Sequence, residues 1–248
     1  MGRHGSKVSR IEHGRSVPSA ADIQAWCRHC GVPGQTADLI AALRAVEGTY
    51  VEWRRIERSG LRVSNEAEAP LWDRTRRFRI YSNFMIPGPV QTEGYVRAIL
   101  RLVTAQRHIP DDIEAAVRVR ICRQHVICEG DHRFSIVLEE SVLRSPIGGA
   151  DIMAGQLGYL LEASALPSVS LGIIPLGTDR SKSMWPVEAF WMFDEAQVAV
   201  ELVSAYLTIT QPHEIAMYMD VFAGLAAQAV YGPPARKLIA DAIAALDE

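Results

Sequence analysis

The sequence predicts an α+β protein in which a mixed, mainly antiparallel sheet packs with helices, preceded by a small helical region. Two observations indicate this class. Apolar residues recur at helical spacing in several segments, and short runs rich in strand-forming residues lie between those segments without a regular βαβ rhythm. The chain has 248 residues, of which 48% are apolar and 22% charged. These values are typical of a globular protein with one principal core and a small additional region.

The first sixty residues are predicted to form helices. Residues 19–31 have helical spacing, with Ile23, Trp26 and Cys30 at successive turns. A second amphipathic helix is predicted from Thr36 towards Ser59. Residues 61–72 are polar and acidic without a clear period, which predicts a linker. The expected organisation is therefore a helical region over residues 1–60, a linker over 61–72 and an α+β domain over 73–248.

Strands and helices are predicted to be interleaved beyond residue 73. The strand candidates are RRFRIYSNFMIPG, HRFSIVLEESVLR, VSLGIIPLG and EAFWMFDEAQVAVELVSAYLTIT. The last of these is interpreted as two strands that reverse at Asp194 and Glu195. Helices are predicted from Thr92 onward, over residues 111–128, around 149–165 and near the carboxyl terminus.

Charge is distributed unevenly along the chain. The net charge is −3, which argues against a surface uniformly suited to nucleic acid. Residues 1–15 nevertheless hold Arg3, Lys7, Arg10 and Arg15 against the single acidic residue Glu12, so they form a local basic cluster.

The sequence shows no targeting or cofactor signal. No apolar run approaches the length of about eighteen residues typical of a membrane span, and the amino terminus lacks a secretory pattern. We therefore expect a cytoplasmic protein that does not contact a membrane. Cys27 and Cys30 form a CxxC pair, but no second ligand pair lies nearby, so we expect neither a metal nor another cofactor.

Three stretches resemble a known family of regulators. SKVSRIEHGRSVPSAADIQAWCRHCGV resembles the recognition helix, turn and following helix of XRE/Cro helix-turn-helix regulators. FMIPGPVQTEGYVRAIL and LEESVLRSPIGGADIMAGQLGYLLEASALPSVSLGIIPLG resemble the carboxyl-terminal domain of the Scr-type, antitoxin-like regulators of actinobacteria. The resemblance implies a transcription regulator with a DNA reader and a domain that senses a ligand or a small partner protein. Such readers usually act as homodimers on two half-sites.

The resemblance assigns DNA contacts to the first helix. Ser6, Lys7, Ser9 and Arg10 would project towards base edges and phosphates, and Arg15 would suit a phosphate. The family places two further helices ahead of this motif, whereas the sequence has only MGRHG there, so the region resembles part of a reader. Three explanations stay open: a misassigned start, a shortened chain, or loss of DNA binding. Whether this chain binds DNA is therefore left open.

The alternative is a regulator-derived small-molecule-binding protein or an enzyme of a biosynthetic pathway. No GxSxG, P-loop or GxGxxG motif occurs, so no reaction is predicted. The candidates for a catalytic role are Glu139 and Glu140, as a possible acid/base pair, and His125, in a cluster with Cys122 and Cys128. Aromatic side chains that could line an apolar ligand pocket are Trp185, Phe190, Trp191 and Tyr206.

Overall fold

The computed structural model describes residues 4–40, 43, 50–181 and 183–246, without the side chains of residues 4–6 and 54. Two compact units make up the chain, Met1–Tyr50 and Val51–Glu248. The boundary between them therefore falls about ten residues before the boundary expected from the sequence.

The described part of the first unit includes the helices α1 (His4–Glu12) and α2 (Ala20–His29). Residues 36–40 are also helical, as predicted for the segment that starts near Thr36. Helix α2 begins with a capping box, in which the Ser19 hydroxyl accepts from the backbone N–H of Asp22 and the Asp22 carboxylate accepts from the backbone N–H of Ser19. Ile23 and Cys27 are buried on its inner face. The prediction of a helix in this segment is confirmed.

The prediction of one helix from Thr36 towards Ser59 is wrong at its end. The structure has a short strand, β1 (Tyr50–Glu52), followed by a single helical turn, α3 (Trp53–Ile56). Residues 44–49 lie outside the described part of the chain. The backbone N–H of Trp53 donates to the Ser204 carbonyl at 3.2 Å, so a long-range contact decides the conformation here.

The segment predicted to be a linker is a helix, α4 (Leu61–Arg74). Gly60 precedes it with φ of +91°, in the left-handed region that favours glycine. The Asp112 carboxylate then accepts hydrogen bonds from the backbone N–H groups of Leu61 and Arg62, at 3.0 and 2.9 Å. The prediction of a linker over residues 61–72 is therefore wrong, because a carboxylate fifty residues away in sequence supplies the cap.

We expect Asp112→Ala to lower the free energy of unfolding by about 1–2 kcal/mol, since two backbone donors at the start of α4 lose their acceptor. Urea denaturation followed by circular dichroism measures this change. Asp131→Ala, at an exposed turn position, is the matched control. An Asp112→Ala variant as stable as the control would contradict the capping role.

The second unit also contains the remaining strands and helices. The further strands are β2 (Arg77–Ser82), β3 (Arg133–Glu139), β4 (Val169–Ile174), β5 (Phe190–Phe193), β6 (Gln197–Glu201), β7 (Ala205–Ile209) and β8 (Val230–Tyr231). The further helices are α5 (Glu93–Arg107), α6 (Ile113–Arg123), α7 (Glu140–Leu143), α8 (Ala150–Ala163), α9 (Pro212–Ala226) and α10 (Pro233–Ala244). EAFWMFDEAQVAVELVSAYLTIT therefore forms three strands rather than two, because the chain reverses a second time between Glu201 and Ala205.

The strands form one mixed sheet in the order β1-β7-β6-β5-β2-β3-β4-β8. Strands β2, β3 and β4 are parallel to one another, and β5, β6, β7 and β8 each pair antiparallel with a neighbour. The predicted α+β class with a mixed, mainly antiparallel sheet is confirmed.

Apolar side chains cover both faces of the sheet. On one face, Phe78 and Ile80 of β2 join a cluster that includes Trp72 of α4 and residues of α5, α8 and α10. On the other face, Tyr81 of β2 packs in a cluster with residues of α9 such as Phe222. Because neighbouring residues of a strand point to opposite faces, strands such as β2 and β3 contribute to both cores.

Candidate functional site

The predicted DNA-contacting residues lie on and after α1. Lys7, Ser9 and Arg10 are exposed on this helix and Arg15 is exposed just beyond it, whereas the side chain of Ser6 lies outside the described residues. The Lys7 ammonium donates to both carboxylate oxygens of Asp22 at 2.8 Å. This hydrogen bond is the main reason that the pKa of Asp22 is held well below its usual range. Lys7 would have to leave this ion pair to reach a phosphate.

A cavity of about 460 Å³ lies within the unit Val51–Glu248, on the sheet face that carries Trp191. The floor of the cavity is formed by strand residues that point to this face: Trp191 of β5, Ala199 and Glu201 of β6, and Tyr206 of β7. They share a face because alternate residues of a strand point to the same side of the sheet. Its volume falls within the range of pockets that enclose small molecules, roughly 300–1,000 Å³.

Three helices supply the walls of the cavity. Leu61, Asn65, Glu68 and Trp72 follow one another at helical spacing along α4 and all line it. Further lining residues come from α5 and α6: Ile99, Val103, Gln106, Arg107, Arg120 and Arg123.

Two guanidinium groups stack on tryptophan rings of the cavity. The Arg107 guanidinium carbon lies 4.3 Å from the ring centroid of Trp53, and that of Arg123 lies 4.1 Å from the ring centroid of Trp72. Trp72 in turn packs against Trp191, with ring centroids 5.5 Å apart. The planar guanidinium suits this stacking, which fixes the cations against the wall.

Carboxylates on the lining residues pair with these arginines. Glu57, which is 3% exposed, forms an ion pair with Arg107. Glu68 accepts from Arg123 at 2.6 Å, and the side-chain carbonyl of Asn65 accepts from Nε of Arg120 at 2.7 Å. The polar wall is therefore held by contacts of α4 with α6 and by the contact of Glu57, which precedes α4, with α5.

Three buried polar atoms of residues that line the cavity have no hydrogen-bond partner among the described residues. They are Oε2 of Glu57, Oε1 of Gln91 and Nε of Arg123. The three side chains are 3%, 2% and 8% exposed, so bulk water barely reaches them. Buried polar atoms are nearly always hydrogen-bonded in folded proteins, so these three atoms have hydrogen-bonding capacity that the described residues do not use.

Burial shapes the protonation of the cavity. It raises the pKa of the Glu57 carboxyl, against the attraction of Arg107, and it raises the pKa of Glu201, against the attraction of Arg120. Burial likewise lowers the pKa of Arg120 and raises that of the Tyr206 phenol. The Glu201 side chain is exposed to solvent in the open cavity, but many protein atoms lie near its carboxylate and raise its pKa. An uncompensated charge is therefore unfavourable here.

The structure brings together only part of the predicted pocket. Trp191 and Tyr206 line the cavity. Phe190 points to the opposite face of the sheet, because it precedes Trp191 on the same strand. There its ring packs against that of Tyr218, with ring centroids 4.9 Å apart. Trp185 is 65% exposed and lies away from the cavity. The contribution of α4 was missed, although the spacing of its lining residues is visible in the sequence.

The acid/base candidates lie outside this cavity. Glu139 accepts from Arg180 at 2.7 Å and from the Tyr81 hydroxyl at 2.7 Å. Glu140 accepts from Arg144 and, through its other oxygen, from the backbone N–H of Leu176 at 3.0 Å. Both carboxylates are therefore engaged in contacts that hold the fold.

His125 and the cysteines show no metal-binding arrangement. The His125 ring is 3.7 Å from Asp73 and hydrogen-bonds through Nδ1 to the Cys122 carbonyl. Cys27 is buried and Cys30 exposed. Within the described ranges, no group of three histidine, cysteine, aspartate or glutamate residues is placed to hold a metal ion. The described helices include none that is long and apolar enough to cross a membrane.

Two solved structures resemble this chain only weakly. A phospholipase D family member, Nuc from Salmonella typhimurium, is 9% identical, covers 68% of this chain and 90% of its own, and has a TM-score of 0.38. TrmBL2, an archaeal chromatin protein, is 11% identical, covers 86% of this chain and 69% of its own, and has a TM-score of 0.34. These low values indicate no function for this chain. No curated protein matches it.

Two family models match the sequence. Residues 1–40 match a helix-turn-helix domain, in agreement with the resemblance of this region to a DNA reader. Residues 73–241 match a domain of unknown function, DUF5753. Because the second match covers more than half of the chain, this protein belongs to the DUF5753 family.

Proposed function

We propose that this protein is a transcription regulator that binds duplex DNA through its amino-terminal unit and a small molecule through the cavity of its carboxyl-terminal unit. The match of residues 1–40 to a helix-turn-helix domain carries the first part. The exposed Ser9 and Arg10 of α1 support it, because the recognition helix of such domains presents these positions to the major groove.

The unpartnered atoms of Glu57, Gln91 and Arg123 support the second part. A polar ligand would complete their hydrogen bonds in a cavity whose remaining lining is largely aromatic and aliphatic. The finer assignment that we propose is an XRE-type, antitoxin-like regulator of the Scr class from an actinobacterium. It acts in the cytoplasm as a homodimer on two half-sites, with a small partner protein as a further effector.

DNA binding can be tested with the full chain and a duplex from the region upstream of its own gene. We expect fluorescence anisotropy to show binding that weakens steeply with salt, since contacts to phosphates release counterions. Arg10→Ala should raise the dissociation constant about tenfold, within the range of roughly 1–3 kcal/mol per arginine contact. Arg236→Ala, an exposed arginine of α10, is the matched control and should change little.

Two results would contradict this function. One is the absence of salt-dependent binding by the full chain, and the other is an equal effect of Arg10→Ala and Arg236→Ala. Small-molecule binding without any DNA binding would favour the alternative of a regulator-derived binding protein or enzyme.

A further inference from the structure

We propose that the cavity binds an aromatic small molecule that carries no net charge and offers both hydrogen-bond donors and acceptors. This inference deepens the proposed function, because it names the ligand class of the same cavity. Three properties of the lining carry it: its charge balance, its unpartnered atoms and its aromatic surface.

The described lining residues are balanced in charge. Three carboxylates, of Glu57, Glu68 and Glu201, face three guanidinium groups, of Arg107, Arg120 and Arg123. Four of these groups form two ion pairs, Glu57 with Arg107 and Glu68 with Arg123. The Glu201 carboxylate makes no hydrogen bond or ion pair with a described residue, but it attracts Arg120 electrostatically.

A ligand without net charge preserves this balance. An anion or a cation would instead add an uncompensated charge to a partly desolvated site, where burial already disfavours the ionised forms of Glu57, Glu201 and Arg120.

The unpartnered atoms require both kinds of hydrogen-bonding group. Nε2 of Gln91 donates to the Ile86 carbonyl at 2.6 Å, which fixes the amide orientation and leaves Oε1 as an acceptor. Oε2 of Glu57 is a second acceptor, since the other oxygen accepts from Arg107. Nε of Arg123 is a donor whose neighbouring Nη1 already donates to Glu68. A complementary ligand therefore presents two donors and at least one acceptor.

The aromatic lining selects the body of the ligand. The rings of Trp72 and Trp191 pack together, and the Trp53 ring meets that of Tyr206 edge-on with centroids 5.7 Å apart. A flat conjugated ring gains more from such a surface than an aliphatic chain of the same size does, because aromatic pairs attract beyond the area they bury.

Three probes that share one ring system test the charge requirement: neutral indole-3-acetamide, anionic indole-3-acetate and cationic tryptamine. Isothermal titration calorimetry of the full chain at neutral pH should give a dissociation constant about tenfold lower for the amide than for either ion. Trp191→Ala should weaken binding of all three probes, since it removes a shared stacking surface.

Two charge variants form a matched pair. Glu201→Gln leaves the lining one positive charge in excess, so it should move the preference towards indole-3-acetate. Arg120→Gln leaves one negative charge in excess, so it should move the preference towards tryptamine. A role in folding alone would not shift the two variants in opposite directions. Circular dichroism and thermal unfolding establish that both variants keep the fold.

Three outcomes would overturn the inference: binding of either ion as tight as that of the amide, an unchanged order in both charge variants, or no binding of any probe. None of them affects the DNA-binding experiment with Arg10→Ala, so failure of the ligand class is distinguishable from failure of the regulator assignment.

Discussion

Replacement of Trp72 by alanine should lower the free energy of unfolding of the protein by about 3–5 kcal/mol, the usual cost of truncating a buried tryptophan. Trp72 is 3% exposed and packs on Phe78, with ring centroids 5.7 Å apart, as well as on Trp191. The Arg123 guanidinium also stacks on its ring, so the variant removes support from a buried cation.

Urea denaturation followed by far-ultraviolet circular dichroism measures this loss. Trp185→Ala is the matched control, because this tryptophan is 65% exposed and its truncation should change stability by no more than about 0.5 kcal/mol. Equal stability of the two variants would show that α4 contributes little to the core. It would also contradict the role of α4 as a wall of the proposed ligand cavity.

Glu139→Ala should lower the free energy of unfolding by about 3 kcal/mol, since removing one partner of a largely buried ion pair leaves the other charge uncompensated. The side chains of Glu139 and Arg180 are 12% and 19% exposed. The variant also leaves the Tyr81 hydroxyl without its acceptor. Burial, followed by this carboxylate, raises the pKa of Tyr81 far above its usual range, so the phenol stays a donor at neutral pH.

A double-mutant cycle with Arg180→Ala separates the pair from the surrounding packing, and Glu162→Ala on the exposed side of α8 is the control. We expect the loss of unfolding free energy in the double variant to be smaller than the sum of the losses in the two single variants. Additive losses would mean that Glu139 and Arg180 are not coupled, and would reopen the interpretation of Glu139 as a catalytic carboxylate.

The local periodicity of the sequence predicted most of the sheet domain. Alternation of Phe134, Ile136 and Leu138 identified β3, and the capping position of Thr92 placed the start of α5, where its hydroxyl accepts from Tyr95. These signals act within a few residues, so they can be recognised without knowledge of the fold.

The contacts that form the candidate site act over longer distances. Helix α4 has a polar sequence because Asn65 and Glu68 bind Arg120 and Arg123, more than fifty residues away. Such a helix has a weak apolar period, so its polarity suggested a linker. The opposite orientations of Phe190 and Trp191 could have been predicted from the strand alone, since only one of two adjacent strand residues can face a given pocket.

The position of the tryptophans in the cavity also gives the protein an internal optical reporter. The chain contains five tryptophans, and Trp53, Trp72 and Trp191 line the cavity. A molecule that enters the cavity changes the surroundings of these lining indole rings, so the intrinsic emission of the unlabelled protein should follow occupancy directly. Trp26 and Trp185 lie elsewhere and provide a constant background, against which filling and emptying of the site can be timed.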